Sequence, residues 1–367
     1  MASFVRQRIR RLTKLTRGVG FFPANHSLLV SLCMNGRISG SELATVRSTT
    51  VLHILRFLCC ARRPIRFRSN ISNTGWALRN ISYYPTVTMS ALPADWFPWE
   101  ISVSDDPVAP RQGTKCHLEI LYDYSPRLDL GSNDMVMPYG IHPVHLHTTG
   151  LDGLTSQLPV LRRTNRSQKM LFAGTVNPFY SKNAYLQSMF GKLDRCEILS
   201  HLRSTGVFDE SRPPGDEPWK TDEGRFLLID SATGGIPASE WFSTLSRFDF
   251  LLCPPGVIMP MCHNIIEAMA VGTIPVTNYP EWFFPPLRHG EECLVFSGKD
   301  DLMARIEEIR TLSPARIAAM RQACITYYDA HLDPRAVFNR ILQSGLDHVR
   351  LHVLDETLGS LGIASPT

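Results

Sequence analysis

The sequence predicts an α/β protein whose second half is built on a parallel sheet. Three observations carry this. Short apolar runs alternate with helix-length amphipathic stretches from about residue 168 onward. The runs are predominantly apolar, as expected of strands buried on both faces. One of them ends in Pro-Pro-Gly and leads directly into a helix-forming stretch that closes on a glycine. At 367 residues the chain is long enough for two domains.

Taken in order, residues 1–70 form a basic head. They hold 13 Lys and Arg against one acid, Glu42, a net +12. The whole chain is only +4, so the remainder is acidic at −8. Val5, Ile9, Leu12 and Leu15 alternate with Arg6, Arg8, Arg10, Arg11 and Lys14. That spacing fits a basic amphipathic helix lying on an anionic membrane. It also fits an Arg-rich, acid-poor transit peptide, or a poorly ordered segment ahead of the first domain. No aromatic-interleaved basic motif follows, so nucleic acid is not an expected partner. Leu28–Met34 is too short an apolar run for a secretory signal, and no uncharged apolar stretch is long enough to span a bilayer.

Residues 71–155 are the expected N-terminal domain. His117–Tyr122 reads as a strand, and Met135–His147 as a strand and loop because prolines interrupt it. Residues 156–330 follow as the second domain. Its strands are Lys169–Ala173, Phe226–Asp230, Phe248–Cys253, Thr273–Thr277 and Cys293–Phe296. Its helices are Ala184–Leu202, Ala238–Leu245, Cys262–Val271 and Asp300–Thr311. Strands alternating with helices in this way make parallel βαβ units and a Rossmann-like domain. Residues 331–367 are the C-terminal helix and tail. Ser313-Pro314 and Asp333-Pro334 each pair a cap with a proline suited to a first helical turn, the second opening a helix expected to run from Arg335 to about Glu356.

The chemistry is expected in Cys253–Val276. A strand ends at a Pro-Pro-Gly turn, and a helix then starts at the carboxyl edge of the sheet. Open parallel sheets bind ligands there, and the free N–H groups of a helix start suit a diphosphate. Gly256 is the residue expected to let backbone approach a phosphate closely. At about 100° per residue, His263, Asn264 and Glu267 share one sector of an otherwise apolar helix. A carboxylate buried on it needs partners. Two ribose hydroxyls would serve, and so would protein N–H groups or an arginine. His263 and Glu267 stand at i, i+4 without a third ligand, so no metal is expected. His142, His145 and His147 fit an interdomain lining or a structural role better than a metal site.

These residues carry a resemblance. FDFLLCPPGVIMPMCHNIIEAMAVGTIPVTNYPEWFFPPL resembles the donor-binding half of exostosin-like and related GT-B glycosyltransferases. Their pattern is matched by Pro254/Pro255-Gly256, Glu267-Ala268 and Gly272-Thr273-Ile274-Pro275-Val276. The resemblance implies a GT-B-like α/β fold, two Rossmann-like domains with C-terminal helices, of which the N-terminal one reads here as irregular or incomplete. It implies sugar transfer from a nucleotide-sugar donor to a glycan or lipid-linked acceptor, without cofactor or metal. It gives Glu267 the nucleotide ribose, and Gly174 and Asn177 the loop after the first strand. Lys182 or Arg195 would supply the basic group for the diphosphate. No acid stands where many retaining members carry a second one; Asn278, Tyr279 and Glu281 are nearby, which leaves the stereochemistry open. No general base stands out among Asp105, Asp106, Asp123, Asp134 and His142. Trp282, Phe283 and Phe284 fit either a stacking platform or a hydrophobic anchor. The alternative function is a non-catalytic sugar-nucleotide or glycan-binding protein with a degenerate acceptor domain. The nine cysteines are odd in number and scattered without zinc-like spacing, which predicts free thiols in a cytoplasmic protein, peripheral to the membrane if 1–70 binds lipid.

Overall fold

The structure, a computed structural model, describes residues 30–34, 65–69, 87–89, 101–104, 116–121, 123–142, 145, 151–176, 184–210, 224–231, 235–256 and 259–354. The chain divides into two compact units. One comprises residues 1–138 with 334–367, the other 139–333. The boundary lies at Tyr139 rather than 156, and the C-terminal segment belongs to the first unit rather than standing apart.

The first unit is built on a seven-stranded parallel sheet. Its strands are β1 (Val30–Met34), β2 (Ile65–Ser69), β3 (Val87–Met89), β4 (Ile101–Ser104), β5 (Cys116–Leu121), β6 (Asp134–Met137) and the late β13 (His348–Val353). Their order is β3-β2-β1-β4-β5-β13-β6. Two of them, β1 and β2, fall within 1–70, which had no strand signal in the sequence. Among the described residues this unit is a parallel sheet. The rest of the basic head, including Val5–Leu15, lies outside the described residues.

β13 corrects a second expectation. The helix opened by Asp333-Pro334 ends early, at Gln343, and Gly345 with φ +69° turns the chain into a strand. His348, Arg350 and His352 alternate along β13 with buried Val349, Leu351 and Val353. That period of two is a strand's, not a helix's. Its polar members are paired from both neighbours. His348 Nε2 lies 3.0 Å from Glu119, Arg350 Nε 2.6 Å from Asp134, and His352 Nδ1 2.7 Å from Asp123.

The second unit holds a six-stranded parallel sheet: β7 (Gln168–Gly174), β8 (Asp209–Glu210), β9 (Phe226–Asp230), β10 (Phe248–Cys253), β11 (Ile274–Thr277) and β12 (Leu294–Val295). Its helices are α1 (Leu151–Arg163), α2 (Ala184–Phe190), α3 (Arg195–Thr205), α4 (Trp241–Leu245), α5 (His263–Val271), α6 (Lys299–Thr311) and α7 (Pro314–Tyr327). The predicted stretch Ala184–Leu202 is two helices. Gly191 with φ +62° follows α2, and Asp194 and Glu197 form a reciprocal capping box that starts α3 afresh. Ser313 caps α7 by accepting from the Arg316 N–H, with Pro314 in the first turn.

The strand order is β12-β11-β10-β7-β9-β8. From β7 the chain builds first toward β9 and β8, then crosses to β10 on the other side. The switch point thus lies between β7 and β10, at their carboxyl ends, where open α/β sheets bind ligands. β10 is buried along its whole length, and Phe172, Phe248 and Phe250 fill the core about it. Arg166 ties the opposite end together. It donates to Leu245 O, Phe248 O, Val271 O and Thr273 Oγ1 at 2.5–3.3 Å. Burial pulls its pKa down to about 9.

Candidate functional site

β10 leaves the sheet at Cys253, and buried Pro254 and Pro255 lead to Gly256. A Cβ at Gly256 would stand 2.6 Å from Met259 O and 2.7 Å from Met261 O. The glycine is therefore required by the turn's own carbonyls. Closeness to a ligand, the reason expected from the sequence, is not needed to explain it. The Gly256 N–H closes the turn on Pro260 O at 3.1 Å.

Helix α5 starts after Cys262, whose φ of −138° and ψ of 149° place it at the N-cap, and ends on Gly272 with φ +77°. Cys262 gives no side-chain cap, unlike Asp194 at α3 and Ser313 at α7. The start of α5 therefore keeps more of its positive partial charge exposed to whatever lies before it.

The polar strip of α5 meets protein groups. Glu267 is 2% exposed, and both its oxygens accept short hydrogen bonds. Oε1 takes the backbone N–H of His142 at 2.7 Å, and Oε2 the indole N–H of Trp241 at 2.7 Å. His145 Nε2 lies 3.7 Å from Oε1, with its ring stacked on Trp241. His263 Nδ1 is 2.6 Å from Gly140 O, and its ring stacks on Tyr139 at 4.5 Å. His142 meets His263 edge-on at 4.8 Å. The segment Tyr139–His142 is thus fastened to the first turns of α5 by His263 and Glu267, two of the three α5 residues expected at a donor. Asn264 accepts from the Cys262 thiol at 3.0 Å.

Arg195 stands apart. It is the first residue of α3, where a cation opposes the helix dipole. It is 8% exposed, and no carboxylate lies within ion-pair distance of it among the described residues. Its Nη2 reaches Pro255 O at 3.3 Å and Cys262 Sγ at 3.8 Å, while Nε is buried with no hydrogen-bond partner. A Cβ on Gly174 would lie 3.8 Å from its Nη1. One guanidinium therefore contacts the turn after β10 and the start of α5, close to the carboxyl end of β7. Asn278 Oδ1, just past β11, is also buried without a partner, and its Nδ2 donates to Leu193 O in the turn before α3.

Of the residues predicted for a donor, the structure gathers Gly174, Arg195, Gly256, His263, Asn264 and Glu267 around β7, β10 and α5. Asn177 and Lys182 lie outside the described residues, as does His147. Sequence reasoning missed Trp241 and Tyr139. Trp241 sits in a stretch read only as helical, and no local pattern ties it to a glutamate 26 positions later. Trp282 and Phe283 are buried, Trp282 against Phe190, so they anchor the loop. Phe284 alone of the three is exposed. Among the described residues no three His, Cys, Asp or Glu side chains come together to hold a metal ion, and no helix is long and apolar enough to cross a membrane.

No family model matches this chain, and no curated protein matches it. Among solved structures it is similar to Anabaena Alr3699/HepE in complex with UDP, at 10% identity, covering 86% of this chain and 99% of that one with a TM-score of 0.39. It is similar also to a glycosyltransferase from Rickettsia africae ESF-5, at 10% identity, 88% and 98% coverage and a TM-score of 0.44. The α/β architecture rests on the strand orders described above.

Proposed function

We propose that the chain is a GT-B glycosyltransferase of the exostosin-like kind, moving a hexosyl or related sugar from a nucleotide-sugar donor to a glycan or lipid-linked acceptor. The observation that carries this reading is Arg195. A buried guanidinium without a carboxylate is costly unless an anion compensates it. It lies at the switch point of a parallel sheet, beside a helix start that has no side-chain cap. A diphosphate fits all three features.

The reaction breaks the bond between the anomeric carbon and the diphosphate oxygen, and joins that carbon to an acceptor hydroxyl oxygen. The negative charge that develops on the leaving diphosphate would be taken by Arg195 and the first N–H groups of α5, so the step asks for no metal. Lys182 and Asn177 are proposed for the same group from the neighbouring loop, with Gly174 leaving room for it. Glu267 has a second role here. Each carboxylate oxygen can accept two bonds, so ribose hydroxyls would add to the protein donors already in place. His263 and Asn264 would hold the same end. The acceptor is assigned to the N-terminal unit.

Thermal unfolding with UDP, GDP and their sugars tests the reading. A nucleotide at about 100 times its Kd stabilises by about 2.7 kcal/mol, which raises Tm by about 5–10 °C for a unit of this size. Arg195→Gln should abolish the rise. If no nucleotide raises Tm, the donor site is wrong. Stabilisation without release of sugar would favour the non-catalytic binding protein.

A further inference from the structure

We propose that Cys262 is a reactive thiolate held against Arg195, and that it exchanges with low-molecular-weight disulfides to give an adduct that closes the diphosphate site. The closing of that site rests on the donor-site reading above; the thiolate does not.

The six described cysteines divide sharply. Cys116, Cys253, Cys293 and Cys324 are buried, and burial pushes each thiol up. Buried neutral thiols are inert. Cys196 and Cys262 are partly exposed. Only Cys262 occupies a helix N-cap, where the dipole favours an anion, and only Cys262 has a guanidinium 3.8 Å away.

Arg195 is the second and independent observation. It is more than nine-tenths buried, its Nε has no partner, and no described carboxylate neutralises it. When no diphosphate is bound, the anion it reaches is the sulfur of Cys262. Among the described residues, Cys253 and Tyr279 interact electrostatically with this sulfur and burial pushes both up, and Glu267 lies further along α5. Glu267 opposes a thiolate, but its charge is already held by Trp241 and His142. Asn264 accommodates either state. Its Oδ1 accepts from the thiol, and a half-turn of the amide would present Nδ2 to a thiolate instead.

In the exchange, the Cys262 sulfur attacks one sulfur of a disulfide RS–SR. The new bond joins Cys262 to SR, the old S–S bond breaks, and RS⁻ leaves to take a proton from water. An added thiol reverses the step. The adduct sits at the start of α5 beside Arg195, where the diphosphate would lie.

The experiment uses the intact full-length chain and 5,5′-dithiobis(2-nitrobenzoate), with peptide mapping to assign each modified cysteine. At pH 6.5 Cys262 should react about tenfold faster than Cys196, as expected of a thiolate against an ordinary thiol. Arg195→Gln should remove that advantage and Arg195→Lys keep most of it. Protection of Cys253, Cys293 and Cys324 in the same map reports that the fold is intact. In the unaltered protein, alkylation of Cys262 should reach half its maximal rate below the pH of about 8.5 typical of free cysteine. A Cys262 no faster than Cys196, or a midpoint at or above that of free cysteine, overturns the assignment. The adduct should abolish nucleotide stabilisation, and bound nucleotide should slow the reaction. A fast Cys262 whose adduct leaves nucleotide stabilisation unchanged overturns the closing of the site. If no nucleotide stabilises even the unmodified protein, the donor-site reading has failed and, with it, the closing of that site.

Discussion

Glu267 and Trp241 are joined by a 2.7 Å hydrogen bond between residues that are 2% and 7% exposed. A buried bond from a neutral donor to a charged acceptor contributes about 1.5–3 kcal/mol. Trp241→Phe removes the indole N–H and part of the ring, and should destabilise by about 3 kcal/mol once the lost packing is included. Glu267→Gln leaves one acceptor oxygen where two donors, the indole and the His142 N–H, now compete for it. It should cost about 2–3 kcal/mol, since one buried donor goes unmet. The two changes share one bond, so the double variant should cost less than their sum by about 1.5–2 kcal/mol. Urea unfolding followed by circular dichroism on the four proteins of the cycle measures this. A coupling below about 0.5 kcal/mol would mean that Glu267 is not held by Trp241, and the account of the α5 strip would fail.

Two further outcomes follow from particular positions. Gly256→Ala should destabilise by about 1–3 kcal/mol and weaken nucleotide stabilisation, because the new methyl must displace the carbonyls of Met259 and Met261; a variant as stable as the parent in the same urea assay would show that the turn is slack. His117 is buried and its pKa is lowered, first by burial and then by His348, with Glu119 acting the other way. The unfolded chain therefore binds its proton more readily. The stability it contributes is complete above about pH 6.5 and is lost as pH falls from there toward its folded pKa. His117→Gln should flatten that acid-side decline, and urea midpoints between pH 7 and pH 5 check the sign.

The legible part of the fold is the part where sequence neighbours are also spatial neighbours. FDFLLC, Gly272 and the run to Thr277 announce β10, α5 and β11, because a doubly covered strand is predominantly apolar and a helix commonly ends on a left-handed glycine. The N-terminal sheet was hard to read for the opposite reason. β1, β2 and β3 are three to five residues long and widely separated, and the strand between β5 and β6 arrives more than 200 positions later as β13. Its alternation His348–Val353 is visible in the sequence, but the preceding Asp333-Pro334 start draws the eye to a longer helix.

For the site, residue types and spacing by themselves determined that α5 carries a polar strip of His263, Asn264 and Glu267, because helix geometry is local. They also placed Arg195 among the basic candidates. The tertiary structure decided what those groups meet. It gave Glu267 to Trp241 and the His142 N–H and fastened His263 to Gly140. It left Arg195 buried at the β7–β10 switch point with no described carboxylate in reach. Partners of a buried charge are chosen by packing between distant segments, and that choice leaves no periodic trace in the chain.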